Sequence, residues 1–141
     1  MSKFTLLSGL HAWSQRPALY GKVMNLYRKL QVDYDRALTE VDVLITPTTP
    51  YVADRHPPSN VGPAEQMGRS NGVAVNTMSF NASGHPAMSI PIGRLSPLDI
   101  EGKEAGIKLP VGLQIVGRMF QEEEVYRVGA AWERAFDWRY L

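Results

Sequence analysis

The sequence predicts an α/β fold: a few-stranded sheet flanked by an N-terminal and a C-terminal helix. Three observations point there. Apolar residues recur at helical spacing over residues 18–38, two short runs at 41–45 and 111–116 have strand character, and a second helical stripe covers about 121–137. With 141 residues, 44% apolar and 21% charged, the chain suits one folded domain, 1–141, with no internal repeat and no boundary dividing it.

The opening Met1-Ser2-Lys3-Phe4-Thr5-Leu6-Leu7-Ser8-Gly9-Leu10 holds a short apolar run broken by Thr5, Ser8 and Gly9. It lacks the apolar core and cleavage site of a secretory signal, and no run reaches the ~18 residues of a membrane span. A cytoplasmic location is the expectation. Over 18–38, Val23, Tyr27, Leu30, Tyr34 and Leu38 form one stripe, with Lys29 and Asp33 spaced to pair outside it. Pro17 stands just before this helix, where a missing N–H costs little. Val41-Asp42-Val43-Leu44-Ile45 reads as a buried strand that Pro47 and Pro50 end.

A long proline-rich loop follows over about 46–72, with one helical turn expected at Pro63-Ala64-Glu65-Gln66-Met67. Residues 73–78 fit a strand or a helix. After the Ser83-Gly84-His85-Pro86 turn, residues 87–91 read as extended. A polar connection punctuated by Gly102 and Gly106 leads to the strand 111–116, with Val111, Leu113 and Ile115 on one face. In the last helix Glu122, Glu123 and Glu124 occupy the first turn, where the dipole favours anions, and Val125, Gly129, Trp132 and Phe136 form the buried stripe.

Charge and composition exclude several functions. A net charge of +1, from 15 basic and 14 acidic side chains, generates no field for nucleic acid or an anionic membrane. The absence of cysteine removes thiolate catalysis, disulfides and sulfur-bound zinc. His11, His56 and His85 have no ligand partner at helical spacing, and Asp54-Arg55-His56 reads as a solvated cluster, so no metal site is expected. Asp33 and Asp35, two apart on a helix, do not share a face for acid–base work. Trp13, Trp132 and Trp138 read as core or partner-interface residues. Asn81-Ala82-Ser83 fits a glycosylation acceptor but accompanies no secretory signal.

Gly68-Arg69-Ser70-Asn71-Gly72 matches the nucleophile elbow of α/β-hydrolases, which needs a strand before the serine; the preceding residues do not read as one. An independent hydrolase using Ser70 is a minor alternative.

Two blocks carry a family resemblance: Phe80-Asn81-Ala82-Ser83-Gly84-His85-Pro86-Ala87-Met88-Ser89-Ile90-Pro91-Ile92-Gly93, and Leu109-Pro110-Val111-Gly112-Leu113-Gln114-Ile115-Val116-Gly117. With Val41-Asp42-Val43-Leu44-Ile45-Thr46-Pro47-Thr48-Thr49-Pro50 ahead of them, they resemble the C-terminal part of the amidase signature family, serine hydrolases that cleave amide C–N bonds. The likeness runs over about 32–133 and is closest to fungal acetamidase-like members, more distantly to the A subunit of glutamyl-tRNA amidotransferase.

The resemblance implies part of an α/β/α sandwich around a mixed sheet. It also implies acyl transfer by a Ser–Ser–Lys triad from a Gly/Ser-rich stretch upstream of these blocks. That stretch and its lysine are not in this sequence, so no catalytic, cofactor-binding or metal-binding residue is assigned. Gly84, Pro86, Gly112 and Asn81 receive architectural roles: a left-handed turn, a block to pairing, a close backbone approach and a turn cap. The expected function is the structural C-terminal part of an amide hydrolase, inactive alone, whose partner is the missing N-terminal region and whose small amide substrate belongs to the complete enzyme. The alternative is a non-catalytic module that self-associates as a homodimer or swapped assembly.

Overall fold

The computed structural model describes residues 2–53, 56–69, 72–97 and 106–141. Helix α1 (Ser2–Gln15) leads into α2 (Ala18–Ala37), strand β1 (Leu44–Pro47), short helix α3 (Pro63–Arg69), α4 (Val75–Ser83), β2 (Ala87–Leu95), β3 (Leu109–Val116) and α5 (Glu122–Ala135), closed by a 3-10 turn at Trp138–Tyr140. Among the described residues no helix is long and apolar enough to cross a membrane.

The strands form one sheet in the order β1-β3-β2, and both pairings are antiparallel. This differs from the mixed sheet that the resemblance implies. The difference arises because β3 folds back along β2 and then receives β1 on its other side. β1 starts at Leu44 rather than Val41, since its first partner, Val116, is the last residue of β3. Pro47 closes this edge strand, and Pro91 sits at the irregularity between Pro91 and Gly93 on the opposite edge strand.

Strand alternation gives the sheet two unlike faces. Met88, Ile90, Leu113 and Ile115 face α5, where Val125 and Trp132 complete the core. α5 approaches closely because Gly129 has no side chain; a Cβ there would strike the Met88 terminal methyl. On the other face, Thr46, Gln114 and Ser89 lie opposite one another across the three strands. α4 covers part of that face, and Tyr34 of α2 packs on Phe80 of α4 with ring centroids 5.0 Å apart. The layering is therefore helix, sheet, helix.

One side chain ties these layers together. The Arg118 guanidinium donates from Nε to the Leu38 carbonyl (3.0 Å) and from Nη2 to the Val41 carbonyl (3.1 Å), and from Nη1 to both oxygens of Glu124 (3.0 and 2.9 Å). Nη2 also reaches Asp42 at 3.3 Å. The end of α2, the entry to β1 and the first turn of α5 thus converge on one fork.

Several sequence expectations change in detail. Residues 75–83 are helical, which resolves the ambiguous stretch. The opening residues form α1, which the apolar run broken by Ser8 and Gly9 did not suggest. Asp33 lies 3.6 Å from Arg36 rather than pairing with Lys29. Gly112 admits side chains, not backbone: a Cβ there would lie 2.8 Å from Thr48 Oγ1 and 2.9 Å from Ser89 Oγ. We expect Gly112→Ala to cost about 2 kcal/mol, because strand-borne hydroxyls must separate. Gly129→Ala costs under about 1 kcal/mol, since the end of Met88 swings aside. Chemical denaturation of both variants checks the contrast, and equal losses would refute it.

Candidate functional site

α4 ends at Gly84, whose φ of 82° is the left-handed cap that the sequence requires. The cap's N–H donates to the Phe80 carbonyl at 2.9 Å. The reversal returns Ser83 and His85 into the interior, each 4% exposed. Ser83 Oγ and His85 Nδ1 are 3.0 Å apart, and His85 Nε2 lies 3.2 Å from Asp35 Oδ1 on α2. The imidazole also meets the Tyr34 ring edge-on at 5.6 Å.

Serine, imidazole and carboxylate are the residue types of a hydrolytic triad, and here they stand in series. The surroundings nevertheless make this array a clamp. An attacking Oγ must reach a carbonyl carbon, but Ser83 is closed to solvent. The oxyanion needs the N–H that follows the nucleophile, and that N–H, at Gly84, already caps the helix. The sequence reading missed the array because Asp35 and His85 are 50 residues apart. Its one local signal was the serine–glycine–histidine order around a left-handed turn. Asn81, assigned a capping role, is exposed, and Gly84, Ser83 and His85 hold the turn instead.

A second polar group lies on the α4-facing side of the sheet. Thr48 Oγ1 and Ser89 Oγ are 2.6 Å apart, above the notch left by Gly112. Beside them the buried Gln114 donates from Nε2 to Thr46 Oγ1 (3.2 Å) and to the Asn76 carbonyl (3.0 Å), while Asn76 Nδ2 donates to the Pro47 carbonyl (2.9 Å). These bonds fix α4 to the edge strand and leave Ser89 exposed. Among the described residues the group presents hydroxyls without a base, so its chemistry is hydrogen bonding.

The remaining candidates are dispersed. His11 is exposed on α1 and His56 is exposed in the long loop. Ser70 and Asn71, like Asp54, Arg55 and Gly102, lie outside the described residues. The segment leading to Ser70 is helix α3, as its proline start predicts, whereas a nucleophile elbow follows a strand. Trp132 is half-buried and stacks on Phe136 at 4.5 Å, as expected of a core residue.

The family model described as Amidase matches residues 5–126. The chain is 37% identical over 133 residues to an uncharacterized protein in the nthA 5' region of Rhodococcus erythropolis, covering 94% of this chain and 61% of that protein. It is 32% identical over 138 residues to the A subunit of glutamyl-tRNA(Gln) amidotransferase from Microcystis aeruginosa, covering 98% of this chain and 25% of that relative. The crystal structure of the corresponding A subunit from Thermotoga maritima superposes with a TM-score of 0.65 at 25% identity, over 94% of this chain and 26% of that one. This chain therefore spans about a quarter of the length of these amidotransferase relatives. A family match across most of the sequence and a shared fold over nearly all of it agree: the chain belongs to the amidase family.

Proposed function

We propose that this chain is the scaffold portion of an amidase-family hydrolase acting on small linear amides, and that it does not cleave amides by itself. The reading rests on one observation. Nearly the whole chain aligns with only a quarter of its amidotransferase relatives. The geometry agrees with it. Amide cleavage needs an exposed nucleophile, a base in contact with it and free N–H donors for the oxyanion. Ser83 and His85 are shut in, and among the described residues the exposed Thr48–Ser89 pair has no base. In this reading β1, β2, β3 and α4 form a wall of the complete enzyme, and the bond-breaking groups come from residues beyond these 141.

Incubating the purified chain with acetamide, propionamide and p-nitrophenyl acetate tests the proposal. No turnover above buffer is expected. Mixing it with an amidase-family polypeptide truncated before the matching quarter should restore amide hydrolysis. Turnover by the chain alone that Ser70→Ala abolishes would instead establish the small-hydrolase alternative.

A further inference from the structure

Phe120 stands where a turn favours glycine. The chain leaves β3 through Gly117-Arg118-Met119-Phe120-Gln121 and enters α5 at Glu122. The Gln121 N–H donates to the Arg118 carbonyl at 3.1 Å, so residues 118–121 make a tight turn. Phe120, the third of the four, has a φ of 60°, and among the described residues it is the only one besides glycines with a positive φ. A left-handed third position suits glycine, because a Cβ there crowds the following carbonyl oxygen.

The turn is held in that shape from inside. Arg118 is bonded to Leu38, Val41 and Glu124, and the Met119 side chain lies at Gly84, where a Cβ would come 3.6 Å from its terminal methyl. With both predecessors pinned to the body, the ring of Phe120 is 86% exposed. Tyr140 is as exposed, at 87%, but has no positive φ. A lone exposed aromatic is ordinary. One that also strains its backbone is not, since within this chain it gains neither burial nor a better turn. Strain that the fold does not need marks a position used for something else.

On the scaffold role proposed above, we infer that Phe120 is an anchor residue. It enters an apolar socket, rimmed by Lys or Arg, on the part of an amidase-family polypeptide that lies outside these 141 residues. Two observations select that occupant. The first is charge. The exposed Asp42 lies 3.3 Å from Arg118 Nη2, and the exposed Glu122 and Glu123 follow directly after the turn. Arg118 is engaged by Glu124, while Arg127 reaches Glu123 at 3.6 Å. The surface about Phe120 is therefore net acidic and complements a basic rim. The second is length. About three quarters of the amidotransferase relatives lie outside the stretch matched here, so the same polypeptide offers ample surface to receive the ring. A ring fixed by its backbone loses little freedom on docking, which favours an aromatic as the anchor.

The test separates affinity from folding. The purified chain is titrated calorimetrically with the Microcystis aeruginosa A subunit lacking its matching quarter, and the mixture is assayed for acetamide hydrolysis. Phe120→Gly should weaken binding at least about tenfold, while the isolated variant melts at or above the parent temperature because the turn is relieved. Tyr140→Ala should bind like the parent. Glu122→Gln together with Glu123→Gln should weaken binding about threefold and flatten its salt dependence; unchanged binding of that pair overturns the basic rim. A Phe120→Gly chain that binds like the parent overturns the inference, and amide hydrolysis by that complex leaves the scaffold reading standing. A melt lowered along with the affinity overturns it as well, by giving Phe120 a folding role. No complex with the parent chain sinks both.

Discussion

Replacing Arg118 by alanine lowers stability by about 3 kcal/mol and the melting temperature by roughly 10 °C. Its fork is the junction of three elements, and truncation damages each of them. Two carbonyls, of Leu38 and Val41, lose their donors, and Leu38 is 1% exposed, where water offers little replacement. Glu124, with a side chain 21% exposed, keeps its charge and loses a bidentate partner. Asp42, 91% exposed, loses almost nothing. Arg118→Lys recovers less than half of the loss, because a point charge cannot serve a carboxylate and two carbonyls at once. Glu124→Gln costs about 1 kcal/mol, since the two carbonyls stay bonded. Thermal melting of the three variants checks the ranking; an alanine variant that melts with the parent would sink it.

The second large effect is at His85. Its side chain is fully buried, between α4 and α2. His85→Ala leaves a void beside Tyr34 and removes both hydrogen bonds of the ring, a loss of about 3 kcal/mol. His85→Phe refills the volume and keeps the aromatic contact, so it costs about 1–2 kcal/mol. Asp35→Asn costs under about 1 kcal/mol, because the carboxylate is half in water. This ordering, with volume outweighing charge, is what a clamp predicts and a catalytic relay does not. Urea denaturation of the series decides it, and an Asp35→Asn loss as large as that of His85→Ala would argue for a different role.

How much of this was legible in the sequence depended on distance along the chain. Local periodicity found α2 and α5, and alternation found β3. Both helical stripes overshoot the packing: Tyr27 is 41% exposed and Phe136 47% exposed. α4 stayed ambiguous because a nine-residue helix gives too few turns to separate two periods. α1 had its Leu6, Leu10, Trp13 spacing, but Thr5, Ser8 and Gly9 obscured it. The Arg118 fork and the Asp35–His85 contact join residues 50 to 80 positions apart. No local pattern encodes such a meeting. Gly112 shows the intermediate case: the glycine signalled close approach, while the approaching groups, Thr48 and Ser89, emerged only from the strand register.

The order of the strands also bears on how the chain is made. Among the described residues β1 pairs solely with β3, and its first residue, Leu44, meets Val116. During synthesis β1 therefore leaves the ribosome some seventy residues before its neighbour exists. Through that interval the backbone of β1 waits unpaired, which is the kind of segment that chaperones hold. The β2–β3 hairpin closes over a shorter loop and forms first, so the sheet grows from its C-terminal half and captures β1 last. Conditions that slow translation late in the message should then raise aggregation more than those that slow it early.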